Sequence, residues 1–419
     1  MRFYLKLLPV LFIILLPIQD VLADVYFKDL SGVNYLPPGN MATRLGVSWV
    51  RENLAWNQVE VSEGVYNWEG FDAKVRKAHE QGLEILPILA YVPEWNKSIK
   101  NKIGSPPKDY NRWTIFVQKA INRYSREPFN IKYFQIWNEP TSKAKFWLGT
   151  NDDFIYRIYL PAAKIIRSYG GKVVFGGWPA SNSLTELDSI LSKGNAIDYT
   201  DIIDFHYGNV GPYEHLYQKY VLTKKVEGIW QTELGYRSTP DSVLRIYSFI
   251  LNWVLSHDWN TPHQYKVFWF PSWTSYASQH RGFTTTLPNR EVVVTDNGFQ
   301  LTLLNKLFGC GALSKADVLS SLDENDREGN LVFAVNVGKT KKVIVTLYNI
   351  AEKSNGIKYE FFSSSTVHNI ELISSEGKHS KLNFSQNNKR VIIGVYSGDY
   401  PRECGNCQHG VFFIEVKTD

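Results

Sequence analysis

Cysteine is scarce in this sequence. Three residues in 419, Cys310, Cys404 and Cys407, are too few for a disulfide-framed scaffold. Cys404-Gly-Asn-Cys407 is spaced for a local disulfide, and a zinc site built on that pair with His409 lacks a fourth nearby ligand. Cys310 is then expected to be reduced and interior. Beyond the first residues there is no apolar run long enough to cross a bilayer. No block of Lys or Arg stands in the sequence, and the net charge of +5 is modest, so nucleic acid is not indicated. The mildly basic balance suits an acidic polymer. No Gly-rich phosphate loop follows an early strand, which disfavours a doubly wound open sheet. No strand end has the His/Asp density of a two-metal hydrolase, so neither metal nor cofactor is expected. Repeats, low-complexity tracts and a Pro/Ser-rich linker are also missing.

What is present begins with a leader. Arg2 and Lys6 precede the apolar stretch Leu7–Pro17, "LLPVLFIILLP", and Val21-Leu22-Ala23 offers small residues for cleavage. Residues 1–23 therefore read as a secretory signal peptide. A secreted or periplasmic chain with no stable membrane insertion after cleavage is expected. Hydrophobic residues make up 44% of the chain, enough for large cores, and 13 Trp and 24 Tyr leave a surplus suited to stacking on sugars.

From residue 24 to 310 short apolar runs alternate with helical patterns. The runs are 31–35, 46–53, 83–91, 131–140, 172–179, 201–208, 228–236 and 265–270. Their unbroken apolar character is that of parallel strands buried on both faces. Between them, Asp109–Arg126 places Trp113, Phe116, Val117, Ala120, Ile121 and Tyr124 at helical spacing, and similar patterns cover 72–81, 152–169, 240–258 and 296–309. This α/β alternation, eight strands with intervening helices, predicts a (β/α)8 TIM barrel. From 311 to 419 the period changes to two, with turn residues separating short strands. That segment reads as a C-terminal antiparallel β-sandwich.

In such a barrel, chemistry sits at the carboxyl ends of the strands. The second run ends in Arg51-Glu52-Asn53, the fourth in Asn138-Glu139, the sixth in His206-Tyr207, and the seventh in Glu233; the eighth carries Trp269. Glu139 and Glu233 are 94 residues apart (233 minus 139), about three β/α units, which sets them across the barrel mouth. A facing carboxylate pair is what glycosidic hydrolysis needs: one protonated to assist the leaving oxygen, one ionised to attack. Arg51, on the second strand, is positioned to hold one carboxylate charged. Trp56, Trp95, Trp147, Trp178, Tyr236 and Trp273 all follow strand ends. About half of them, Trp178 and Trp95 first, are expected on the cleft wall as sugar-stacking surfaces.

The "IWNEP" ending the fourth run, with a glutamate ending the seventh, resembles clan A of the glycoside hydrolases over roughly residues 30–310. The added β-sandwich, the leader and "DFHYG" look most like family 39 and its relatives, including secreted bacterial enzymes that cut biofilm exopolysaccharides. The resemblance implies a retaining glycosidase with Glu139 as acid/base and Glu233 as nucleophile. It implies Asn138 on the sugar 2-hydroxyl, Arg51 near the nucleophile, Tyr207 or His206 orienting the nucleophile, and Trp269 as a subsite floor. The expected partner is a polysaccharide or oligosaccharide, and the chain is expected to be a monomer. A non-catalytic carbohydrate-binding or polysaccharide-export accessory protein on the same barrel is the alternative.

Overall fold

The computed structural model describes residues 23–235, 241–275, 282–321, 331–347, 356–396, 399 and 411–419. The leader, Tyr236, Cys404 and Cys407 therefore lie outside the described residues. Eight parallel strands close a barrel: β1 Ser31–Asn34, β2 Trp49–Ala55, β3 Glu84–Ala90, β4 Tyr133–Ile136, β5 Lys172–Pro179, β6 Ile202–His206, β7 Gly228–Leu234 and β8 Tyr265–Trp269. Closure is made by β1 on β8, with Gly32 opposite Phe268. A Cβ at Gly32 would come within 2.6 Å of the Phe268 ring, so the seam requires glycine there.

Each strand is followed by a helix: α1 Met41–Leu45, α2 Glu69–Glu80, α3 Tyr110–Tyr124, α4 Leu160–Ser168, α5 Leu184–Ser192, α6 Val210–Leu216, α7 Ser242–Leu255 and α8 Asp296–Phe308. Asp109 caps α3 by accepting from Asn111 N, and Thr295 caps α8 by accepting from Gly298 N. The pattern over 152–169 is helical throughout, but Phe154–Tyr159 forms a wide π-helical segment just before Pro161. A proline lacks the N–H for an i→i−4 bond, and the local widening absorbs that loss.

Inside the barrel the side chains form layers, because alternate strand residues point inward. Trp49, Leu86, Tyr133, Val174, Ile202, Trp230 and Phe268 make an apolar plug near the amino ends of the strands. Two residues further along four of these strands stand Arg51, Gln135, Asp204 and Thr232, all buried. The plug is thus topped by a polar layer, and the site is built on it.

The carboxyl ends of the strands depart from regular extended backbone. Tyr35, Tyr91, Trp137, Glu139 and Tyr207 all have positive φ, a region costly for residues with a Cβ. The fourth strand is shorter than the sequence pattern predicts. It ends at Ile136, and the chain leaves it through Trp137 (φ 68°) and Glu139 (φ 42°) rather than at Pro140.

After α8, six antiparallel strands including Leu331–Val337, Lys341–Leu347, Val367–Ser374 and Val411–Thr418 form one sheet, and four including Ile357–Phe362 and Arg390–Val395 form another. Ile344, Ile370, Ile414 and Val416 face the smaller sheet. Val343, Val345, Ile373 and Phe413, on the other face, join the core of the barrel. Burial on both faces explains why these strands run apolar instead of alternating. Cys310 is exposed, against the expectation of an interior thiol, because it lies past the end of α8 where the chain crosses to the sheet. No helix among the described residues is long and apolar enough to cross a membrane.

Candidate active site

Arg51 is the hub of the polar layer. Its guanidinium donates from Nη1 to Glu233 Oε1 at 2.7 Å and to Asn34 Oδ1 at 3.0 Å, from Nη2 to Asn138 Oδ1 at 2.6 Å, and from Nε to Gln135 Oε1 at 2.8 Å. Four strands are tied by one side chain, which a planar five-donor group does better than an ammonium. Asn34 in turn donates to the backbone carbonyls of Thr232 and Trp269, and Gln135 to that of Trp137. With Asn138 Oδ1 occupied by Arg51, the amide donors of Asn138 remain for a ligand.

Glu233 is held from both sides. Oε1 accepts from Arg51, and Oε2 accepts from the Tyr207 hydroxyl at 2.8 Å. Burial alone would raise its pKa; the charges of His206 and Arg51 and these two hydrogen bonds outweigh burial and hold the carboxyl below the usual carboxylate range.

Glu139 is held by His206, whose Nδ1 lies 2.9 Å from Glu139 Oε1. The other ring nitrogen, Nε2, lies 3.1 Å from Thr232 Oγ1 and 3.6 Å from Asp204 Oδ2. Thr232 donates its hydroxyl to Asp204 at 2.6 Å, so it accepts from Nε2–H. His206 is fully buried, which by itself lowers its pKa. The charge of Glu233 and the bonds to Asp204 and Glu139 overcome that and raise it to about 9. The ring fits because Gly177 is glycine: a Cβ there would sit 2.3 Å from His206 Nε2.

Glu139, His206 and Glu233 each offer an atom within 4.8 Å of the others, a separation compatible with a bound cation. Arg51 and the protonated imidazole already place positive charge at that point, so the donor set is charge-compensated without an ion.

Two tyrosines not singled out from the sequence border the pair. Tyr91 is largely buried, and its phenol is pushed up to about 12 by burial, against the Arg51 charge and together with those of Glu233 and Glu139. Tyr35 is 44% exposed, and its phenol is raised by burial and by the charges of Glu233 and Glu52, against that of Arg51. Each follows directly on a strand (β1 and β3), a place where the sequence reading looked for tryptophan.

The structure brings Arg51, Asn138, Glu139, His206, Tyr207 and Glu233 together. It does not place Trp178, Trp269, Trp56 or Trp147 on the cleft. Trp178 is 1% exposed and donates its indole N–H to Ser183 O; Trp269 is fully buried and packs beside Phe283 and Tyr247. Both belong to the core, where large flat rings fill the strand–helix layer. Trp56 and Trp147 are buried likewise. Trp95 is partly exposed, but it packs on Trp56 and under Arg112 with its N–H on Glu60 O. The partly exposed Trp273 donates to Tyr35 O at 2.7 Å. Asn34, Gln135, Asp204 and Thr232 were missed. For Gln135, Asp204 and Thr232 the signal was a polar residue two positions beyond a barrel-filling one, inside an otherwise apolar strand; Asn34 ends its strand two positions after Gly32.

No family model matches the chain. Two curated β-xylosidases are similar over part of it. That of Caldicellulosiruptor saccharolyticus is 29% identical over 134 residues, 29% of this chain and 27% of the xylosidase. That of Geobacillus stearothermophilus is 32% identical over 83 residues, 17% and 16% respectively. The chain therefore spans well under a third of the length of either relative. Among solved structures, the family 30 subfamily 8 xylanase of Clostridium acetobutylicum superposes with a TM-score of 0.59 at 16% identity, covering 93% of this chain and 95% of that one. A family 39 glycoside hydrolase of Bacteroides cellulosilyticus gives 0.59 at 15%, covering 95% and 83%. The family 30 endoxylanase of Clostridium papyrosolvens gives 0.60 at 13%, covering 95% and 98%. The barrel with its C-terminal sheets is the fold of these clan A glycoside hydrolases.

Proposed function

We propose that the chain is an exported, retaining glycoside hydrolase that cleaves O-glycosidic bonds of an oligosaccharide or polysaccharide, a bacterial exopolysaccharide being the substrate we favour. The observation that carries this reading is the carboxylate pair: an oxygen of Glu139 and an oxygen of Glu233 lie within 4.8 Å. Retaining enzymes hold their two carboxyls about 5–5.5 Å apart, whereas inverting ones leave about 6.5–9.5 Å for a water.

In the first step Glu233 attacks the anomeric carbon while Glu139 gives its proton to the departing glycosidic oxygen, leaving a glycosyl ester on Glu233. In the second, Glu139 takes a proton from water, the water oxygen bonds to the same carbon, and the Glu233 ester bond breaks. Two inversions give net retention. Arg51 and Tyr207 keep Glu233 ionised for attack. The free amide donors of Asn138 suit the 2-hydroxyl of the sugar, a contact that strengthens as charge develops. The β-xylosidase similarity makes β-xylosides the first substrates to try. The leader at residues 1–23 supports export. An accessory protein without catalysis would have no need of a nucleophile held this firmly ionised.

The test is leaving-group dependence. Glu233→Ala is expected to abolish turnover. Glu139→Ala is expected to keep its first step on aryl glycosides with acidic phenols and to lose it on natural substrates. Azide is expected to restore the second step of that variant, giving a glycosyl azide with the substrate's anomeric configuration. An inverted product by NMR would overturn the assignment of Glu233 as nucleophile.

A further inference from the structure

The two loops that flank Glu139 carry most of the protein's excess positive charge. Residues 91–109, after β3, hold Lys97, Lys100, Lys102 and Lys108 against Glu94 and Asp109; residues 141–150, after β4, add Lys143 and Lys145. Two acids subtracted from six lysines leave +4, compared with +5 for all 419 residues. No Lys/Arg block is visible in the sequence because the loops are some 35 residues apart in the chain.

The fold joins them. Leu148 N donates to Gly104 O at 2.8 Å, and a Cβ at Gly104 would lie 2.5 Å from Lys145 O, so the loop backbones touch. Glu94 is spent on Lys97 at 2.9 Å, and Asp109 on capping α3. Lys100, Lys102, Lys108, Lys143 and Lys145 are exposed, and none forms an ion pair with a described carboxylate; Lys100 Nζ donates to the backbone carbonyl of Glu94 at 2.6 Å. The joined loops reach the site through Tyr91. Its ring lies 6.1 Å from that of Trp137 and 6.3 Å from that of Phe146, next to Lys145, and the Trp137 indole donates to Phe146 O at 2.7 Å. Lys143 reaches the loop after β5, with Nζ 3.3 Å from Ser181 O.

The second of these loops begins two residues after Glu139, so the rim adjoins the segment that carries the acid/base, the group that serves the departing oxygen. Lysines without a carboxylate partner, carried on loops that meet beside a cleft, raise the local concentration of anions and steer them in. We propose that the substrate is an acidic polysaccharide whose leaving-group portion carries uronate carboxylates, which bind the lysine rim formed by Lys100, Lys102, Lys108, Lys143 and Lys145. Lysines on mobile stems suit a polymer whose carboxylates recur at intervals better than a single fixed arginine fork would. The inference rests on the glycosidase reading above.

The experiment compares a uronate-containing polysaccharide with its carboxyl-reduced, neutral form and with an aryl glycoside. The enzymes are the wild type, Lys102→Glu/Lys145→Glu, and a control with the same charge change at the other end of the barrel, Lys77→Glu/Lys132→Glu. The wild type is expected to prefer the acidic polymer at low salt and to lose that preference at high salt. In the rim variant the ratio of kcat/KM on the acidic polymer to that on the aryl glycoside is expected to fall roughly 10-fold or more, and in the control to hold. Equal cleavage of acidic and neutral polymers at low salt, or a rim variant that behaves like the control, would overturn the inference. Affinity electrophoresis of Glu233→Gln on both polymers separates the two readings. Rim-dependent, salt-sensitive binding without any cleavage by the wild type would sink the glycosidase reading and keep the acidic ligand, whereas cleavage without rim dependence would do the reverse.

Discussion

His206 stands between the two glutamates, with Nδ1 2.9 Å from Glu139 Oε1 and 3.8 Å from Glu233 Oε2. Its other nitrogen donates to Thr232, whose own proton is committed to buried Asp204. Nε2 is therefore a donor, and with the pKa of the ring raised to about 9, Nδ1 donates to Glu139 while that carboxyl is ionised. The sequence resemblance offered His206 or Tyr207 as the group that orients the nucleophile. The structure divides the work: Tyr207 holds Glu233, and His206 holds Glu139.

Stability is expected to report that charge. The folded-state pKa of His206, about 9, is above the ordinary 6.5. Its contribution is fully present below pH 6.5 and is lost as pH rises through 9, a difference of roughly 3 kcal/mol at most. Urea midpoints of the wild type should fall across that window, and those of His206→Gln should be flat over it. A wild-type midpoint that is flat from pH 6 to 9.5 would mean the ring is neutral.

Arg51 is expected to set the acid limb of activity. The Glu233 carboxyl is depressed, so it stays ionised to lower pH than an ordinary glutamate, and activity that needs the carboxylate is lost as pH falls through that depressed value. Arg51→Gln removes a positive charge and a 2.7 Å bond. The acid limb of kcat/KM should move to higher pH, and kcat/KM at its optimum should drop by about 10²–10³, the scale of stripping one partner from a buried ion pair. Tyr207→Phe should shift the limb the same way, but less. An unmoved limb in Arg51→Gln would assign it to another group.

Trp178 is expected to matter for stability and not for substrate. Trp178→Ala should cost about 3–5 kcal/mol, as large-to-small changes in a packed core do, and the KM of the folded fraction should stay near that of the wild type. Tyr91→Ala, at the edge of the carboxylate pair, should change KM or kcat instead. A raised KM with unchanged melting temperature in Trp178→Ala would return this residue to the cleft.

The barrel was legible because its strands are apolar on both faces and its helices carry a strong 3.6-residue period. The carboxylates were legible because polar residues stood where apolar strands stopped. The aromatic wall was misread for a physical reason. A tryptophan just after a strand end can turn outward under the helices or inward over the mouth, and composition does not distinguish the two. Trp178, Trp147 and Trp56 turn outward into the packing layer, and tyrosines at positive φ take the rim. The supporting shell of Asn34, Gln135, Asp204 and Thr232 was hidden inside the strands, where a single polar residue reads as an interruption until the period-two layering is seen. The thiol of Cys310 was expected inside, near the last barrel helix, yet α8 stops at Phe308 and leaves it exposed on the connection.

The C-terminal sheets are expected to unfold with the barrel and not as a separate module. Phe413 and Val345 are fully buried and lie in the same apolar cluster as α7 and α8 residues such as Val254 and Leu304, and the Phe413 ring meets that of Phe308 at 6.3 Å. Polar contacts fasten the seam, among them Lys315 Nζ on Ser256 Oγ at 2.9 Å, Lys341 Nζ on Lys306 O at 3.4 Å, and Leu313 N on Val25 O at 2.8 Å. Removing the sheets would bare an apolar face of the barrel, and removing the barrel would bare one face of the six-stranded sheet. Neither half then buries its own surface, so the two should melt in one transition. Phe413→Ala should lower that single transition, by about 3–5 kcal/mol of stability, and should lower activity only in proportion to the folded fraction. Calorimetry checks the first point, and limited proteolysis the second. Two resolved transitions of which Phe413→Ala moves one, or a protease fragment ending near residue 310 that stays soluble and active, would show that the sheets are a detachable module.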